Sequence, residues 1–247
     1  MKQTRIVLTA LLVTLISFGA AAQVKKAPVK KAPVSKAPAT KTKVAFTPPV
    51  IKKIPGTRVK ITTDFGVIIV RLYDKTPNHR DNFIKLANAH FFDSLLFHRV
   101  IQGFMIQGGD PQSKNAVAGA MLGSGDVGYT IPAEFDTSLI HKKGALAAAR
   151  TDNPEKASSG CQFYIVQGRP YSDMELNQME MQLGRKFSAS ARKAYSTVGG
   201  TPFLDMNYTV FGEVESGLEV IDRIASVPKG PGDRPLSDVH MYIEVMK

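Results

Sequence analysis

No tryptophan occurs in the 247 residues, and Cys161 is the only cysteine. A single thiol excludes an intramolecular disulfide framework, so stability has to come from a packed core. No base stands near Cys161 in sequence, which favours a buried small residue over a nucleophile. Acidic residues are missing altogether before Asp64. The longest apolar run at the start, Ile6 to Phe18, has 13 residues, short of the roughly 20 that span a bilayer. The five histidines, His79, His90, His98, His141 and His240, include no i, i+4 pair of the kind that ligates zinc, so no metal is expected.

What is present divides the chain in two. Lys2 and Arg5 precede the apolar run, and small residues Gly19 to Ala22 follow it, the pattern of a cleavable signal peptide over residues 1–22. Export is therefore expected, to a periplasm first, with secretion or the outer surface as alternatives. Lys-Ala-Pro-Val then repeats at Lys26 and Lys31, with Lys-Ala-Pro-Ala at Lys36. Residues 23–55 thus read as a disordered Lys/Ala/Pro-rich linker, extended by its prolines to a reach of ~80 Å.

The net charge of +11 has to be located before it implies a partner. Residues 1–60 hold 13 Lys or Arg and no Asp or Glu, which leaves 19 basic against 21 acidic residues in the remainder. Any attraction to an anionic envelope polymer or lipid belongs to the tail, and an exported chain is not expected to bind nucleic acid.

From residue 56 onward the pattern is that of a folded domain, 56–247. Arg58 to Thr63 and Val67 to Tyr73 read as a hairpin around Asp64-Phe65-Gly66. Thr76 and Pro77 open a helix that carries Phe83, Leu86, Ala87 and Phe91 on one face. Short apolar runs bounded by glycine follow, then a second helix from Gly217 to Ile224 and a last strand from Val239 to Met246. The class is mainly antiparallel β, with two helices and about eight strands. Gly123-Ser124-Gly125-Asp126-Val127-Gly128 satisfies a dinucleotide fingerprint, but no strand leads into it and no helix start follows.

Chemistry concentrates in residues 97–111, FHRVIQGFMIQGGDP. Alternate side chains of a strand share a face, so Arg99, Met105 and Gln107 can line one site if the bend at Gly103 preserves that face. This stretch resembles the central signature of cyclophilins. The resemblance continues through GYTIPAEF from Gly128, GALAAAR from Gly144, SGCQFYIVQGRP from Ser159 and FLDMNYTVFGEV from Phe203, in the family's order. It implies a closed eight-stranded antiparallel β-barrel capped by two α-helices, and peptidyl-prolyl cis/trans isomerisation without a cofactor.

The resemblance assigns Arg99 and Gln107 as catalytic residues. It puts Phe104, Met105, Phe163 and Leu204 in the proline pocket, and gives Gln107 and the Arg150 backbone the substrate carbonyl. Gln162 matches a further polar site residue. Phe203 stands where cyclosporin-sensitive members have tryptophan, Tyr208 where they have histidine, and Arg150 where asparagine is common. Weaker cyclosporin binding follows, since a phenyl ring lacks the indole N–H. His98 has no proton to move in such a reaction and is expected to be structural.

Residues 172–200 form an extension beyond compact members of the family. Leu176, Met179, Leu183 and Phe187 are spaced as one docked amphipathic helix. The expected partners are Pro-containing unfolded or partly folded proteins, and a barrel without open edges is compatible with a monomer. Two other readings stay open on the sequence, a groove that holds Pro-containing segments without turnover, and an envelope scaffold that works through its basic tail.

Overall fold

The computed structural model describes residues 56–246. The expected signal peptide and linker, 1–22 and 23–55, lie outside the described residues. The first hairpin joins β1 (Arg58–Thr63) to β2 (Gly66–Leu72). Thr63 Oγ1 accepts from the Phe65 N–H at 3.1 Å and donates to the Gly66 carbonyl at 2.8 Å, which fixes the turn. The register pairs Ile61 with Ile68 and Val59 with Val70, so all four point to one buried face.

Helix α1 (Pro77–Asn88) begins with proline in its first turn, as the sequence suggests. Thr76 occupies the capping position, but its side chain caps nothing. Glu134, 56 residues beyond Asn78, takes that role; its carboxylate accepts the N–H groups of Asn78 and His79 at 3.0 Å each. An anion at a helix start satisfies orphan donors and the helix dipole together. Phe83, Leu86 and Ala87 are buried by α1, whereas Phe91 lies beyond its end.

Strands β3 (Leu95–Leu96), β4 (Arg99–Ile101), β5 (Met105–Gly108), β6 (Thr130–Ile131), β7 (Ala145–Ala148), β8 (Ser158–Ser159) and β9 (Phe163–Val166) follow. Then come α2 (Asp173–Leu183), α3 (Ala189–Thr197), β10 (Val210–Ser216), α4 (Leu218–Ala225) and β11 (His240–Val245). Nine strands pair in the order β3-β11-β1-β2-β10-β7-β9-β5-β4, and β6 pairs with β8 apart from them. The two ends of that order are consecutive in the chain, separated only by Phe97 and His98. The antiparallel ladder therefore curls until its edges meet in one bent segment, β3–β4, which serves as the eighth stave of the barrel. Its interior is apolar and aromatic, and α1 and α4 cover it with Phe83, Val220, Ile221 and Ile224.

The extension between β9 and β10 contains two helices rather than the single one expected. Gly184, with φ 63°, ends α2, and Ser188 caps α3 by accepting the Ala191 N–H. Phe187 sits between them and is buried with Tyr171, Leu176, Ala191 and Tyr195 in a small core of its own, while Met179 and Leu183 are half-buried beside it. Glu180 is buried there too. It accepts from Lys186, the Phe187 N–H and Arg192, and those bonds hold its carboxyl down at about 2.

Candidate active site

Strands β4 and β5 form a hairpin whose register pairs Arg99 with Gln107 and Ile101 with Met105. Directly opposed residues share a face, so the parity argument for Arg99, Met105 and Gln107 holds in three dimensions. Gly103 makes the turn at φ 75°, a conformation that favours glycine, and its N–H donates to Gln167 Oε1 at 2.6 Å.

That face opens on a cleft of about 110 Å³ lined by Arg99, Phe104, Met105, Gln107, Ala149, Arg150, Tyr164, Leu204 and Tyr208. Its lining is mixed, with Phe104, Met105, Ala149 and Leu204 beside the two arginines, Gln107 and two tyrosines. Arg99 is 41% exposed at its side chain and loosely partnered, at 3.4 Å from Gln107 Oε1 and 3.8 Å from Asp233 Oδ2. Of its five donors, most remain available to a ligand.

Gln107 and Gln162 link the cleft to the loop beyond it. Gln107 Nε2 donates to Gln162 Oε1 at 3.0 Å, and Gln162 Nε2 donates to the carbonyls of Gly123 and Gly125 at 3.0 and 2.8 Å. The amide of Gln107 is thereby turned with its oxygen toward Arg99. The glycine-rich run thus supplies carbonyl acceptors in a loop rather than a phosphate cradle. A Cβ on Gly125 would meet Asp110 Oδ1 at 1.9 Å, so the loop closes this tightly only with glycine there.

A family model for the cyclophilin type of peptidyl-prolyl cis-trans isomerase matches residues 58–245. The chain belongs to the cyclophilin family. A Staphylococcus haemolyticus protein provisionally named a peptidyl-prolyl cis-trans isomerase is 33% identical over 195 residues, covering 78% of this chain and 93% of that one. A Streptococcus pyogenes serotype M6 protein, provisionally named a bifunctional phosphatase/peptidyl-prolyl cis-trans isomerase, is 36% identical over 189 residues. The match covers 74% of this chain but only 37% of that longer protein. Among solved structures, a Cryptosporidium parvum cyclophilin-type isomerase superposes with a TM-score of 0.56 at 21% identity, covering 77% of this chain and 98% of that one. That likeness carries the fold. Cyclophilins are isomerases whose chemistry needs no cofactor.

Within this cyclophilin the expected site residues are not all disposed alike. Arg99, Gln107, Phe104, Met105, Leu204 and Tyr208 line the cleft together. Phe203 stands at its rim, 39% exposed and stacked on Phe104 at 5.9 Å, and Gln162 acts from behind Gln107. The side chain of Arg150 is tied down, with Nε on the Asn207 carbonyl at 3.0 Å and the guanidinium 4.8 Å from the Tyr208 ring centre. Its backbone N–H and carbonyl have no hydrogen-bond partner among the described residues.

Phe163 does not lie in the cleft. It is 1% exposed inside the barrel, in ring contact with Phe83, Phe92 and Phe97 at 5.4–6.2 Å. Its neighbour Tyr164 faces the cleft instead, because β9 pairs Tyr164 with Gln107 and puts both on one face. Ala149 was likewise not anticipated. All four residues of β9 are buried, so no polar alternation in the sequence told the two faces apart.

His98 is no part of the cleft lining; its ring lies beside the Gly123 loop. It is 2% exposed, and neither ring nitrogen has a partner among the described residues. Burial holds it neutral, with its pKa lowered to about 4. Cys161 is buried as well, and burial pushes its thiol up to about 11, far from the thiolate a nucleophile needs.

Proposed function

We propose that this cyclophilin accelerates rotation about Xaa-Pro bonds in exported proteins and so assists their folding. The observation that carries the reading is a loosely partnered guanidinium, Arg99, lining a cleft of about 110 Å³ together with the apolar side chains of Phe104, Met105 and Leu204. An Xaa-Pro bond resists rotation because the proline nitrogen shares its lone pair with the carbonyl, and the barrier is ~18–20 kcal/mol. Twisting the bond pyramidalises the nitrogen and localises that lone pair. A hydrogen bond donated by Arg99 then favours the twisted state over both planar isomers.

The magnitudes are compatible with so spare a device. Raising a rate of about 0.02 per second to about 10³ per second takes roughly 6 kcal/mol. One preorganised donor supplies ~2.7–4 kcal/mol. The remainder comes from gripping the ring between Phe104, Met105, Tyr164 and Leu204 while the preceding carbonyl swings. In this scheme Gln107 and the Arg150 backbone hold that carbonyl. No nucleophile, base or cofactor enters the scheme.

Export is supported by the charged and apolar pattern of residues 1–22, and the acid-free tail is suited to an anionic envelope polymer or lipid. The test is the cis-to-trans relaxation of a short Xaa-Pro peptide and the slow refolding phase of a proline-limited protein, each with the full chain. Acceleration of both is expected. A folded chain that binds the peptide without accelerating it is a Pro-binding module instead.

A further inference from the structure

The helical extension reaches the cleft through two side chains. Arg185, in the link between α2 and α3, donates from Nη2 to the Pro202 carbonyl at 3.3 Å and the Asp205 carbonyl at 2.9 Å. Those two acceptors bracket the single turn that carries Phe203 and Leu204. Tyr195, fully buried on α3, donates its hydroxyl to Asp205 Oδ2 at 2.7 Å.

From Asp205 the connection continues inward. Asp205 Oδ1 accepts both the backbone N–H and the Nδ1–H of His141 at 2.9 Å, and His141 Nε2 lies 3.0 Å from the Tyr164 hydroxyl. A carboxylate only accepts, so His141 carries its proton on Nδ1 and Nε2 accepts from Tyr164. Four buried residues therefore form one series of hydrogen bonds between the extension and the cleft wall, with both arms donating toward the Asp205 carboxylate. The chain returns from α3 pressed against the same histidine: a Cβ on Gly200 would sit 2.2 Å from the His141 carbonyl oxygen, and the Thr201 N–H donates to that oxygen at 2.8 Å.

We infer that the extension is a positioning part of the active site: Arg185 and Tyr195 converge on Asp205 and hold the Phe203–Leu204 turn against the cleft. The inference rests on reading that cleft as the isomerase site. A turn of three residues outside any sheet has few bonds of its own, and the Leu204 side chain it carries is one wall of the ring slot. Two donors from a separately packed pair of helices remove the freedom that would let this wall drift, and a wall out of place grips the ring less well in the twisted state. Arg185 and Tyr195 do not line the cleft; they act through the Pro202 and Asp205 carbonyls and the Asp205 carboxylate.

The test uses the full chain and its lack of tryptophan. Phe203→Trp puts a single emitter on the turn, and the anisotropy decay of that indole reports how firmly the turn is held. Arg185→Met in this background should loosen the indole, and in the parent background it should lower kcat/KM on an Xaa-Pro peptide by about tenfold. Arg185→Lys keeps a donor for both carbonyls and should recover most of the loss. Tyr195→Phe removes one donor from Asp205 and should act in the same direction more weakly. Met179→Ala trims the extension's core without touching these bonds; it should lower the melting temperature and leave anisotropy and kcat/KM alone. Unchanged anisotropy and kcat/KM in Arg185→Met, or equal losses in Met179→Ala, overturn the inference while the parent stays active. An inactive parent is the separate failure of the isomerase reading.

Discussion

Two arginines flank the cleft with the same charge, and the fold treats them in opposite ways. Arg150 is 11% exposed at its side chain, bonded to the carbonyls of Asn207 and Thr151, and laid against the Tyr208 ring. Arg99 is 41% exposed, and its nearest carboxylate is 3.8 Å away. A guanidinium whose donors are already satisfied serves as wall, and one whose donors are unspent can still bond a substrate, the role proposed for Arg99. The contrast separates the two without reference to any relative, and the proposal puts the chemistry in the one that contributes less to holding the fold together.

The sharpest way to break this contrast is to remove each arginine in turn. Arg99→Ala should lower kcat by about 10²–10³-fold, the scale of losing one preorganised donor, with a melting temperature close to the parent's. Equal rate losses in Arg99→Ala and Arg150→Met would erase the distinction.

Acid tests the fold and the proposed catalysis separately. The unfolded chain protonates His98 below its ordinary pKa of 6.5, whereas the folded chain refuses the proton until about pH 4. Stability should therefore fall by about 3 kcal/mol as pH drops through that window, with no further loss from this group below it. Urea midpoints of the parent and His98→Gln across the window check this, since the variant should show a shallower decline. Over about pH 5.5–7.5, kcat/KM per folded molecule should stay flat, because the proposed reaction moves no proton; a bell-shaped profile would point to an acid or base.

Arg150→Met should cost about 1–2 kcal/mol of stability through its lost hydrogen bonds to carbonyl groups, with a few-fold decline in kcat/KM as Tyr208 loses its support. The smallest expected effect is at Asp233. Its contact with Arg99 is long and half-exposed, so Asp233→Asn should change stability by under about 0.5 kcal/mol and kcat/KM by less than about twofold.

How much of this could be read from the sequence depended on how local the determining feature was. Arg99, Met105 and Gln107 were legible because a hairpin with one glycine turn keeps parity across nine residues. The barrel came with the family's motif order. Phe163 was misplaced because β9 is buried on both faces, and only its pairing with β5 decides that Tyr164 rather than Phe163 faces the cleft. The extension's periodicity was seen, but Gly184 divides it, and the spacing of Phe187 was met by a link instead of a helix. Wholly illegible were the bonds across long separations, such as Glu134 capping α1 and Asp205 joining Tyr195 to His141, 64 residues away in sequence. Their residue types are ordinary in loops, and only the folded chain brings them together.

The central claim is that Arg99 acts on the twisted bond rather than on the bound peptide. Exchange spectroscopy of an Xaa-Pro peptide in the presence of the full chain and of Arg99→Ala gives both the catalysed isomerisation rate and the peptide's Kd. The account predicts that the variant loses about 10²–10³-fold in rate while Kd changes by less than about threefold. A Kd that weakens in step with the rate would make Arg99 a binding group for the ground state and contradict it.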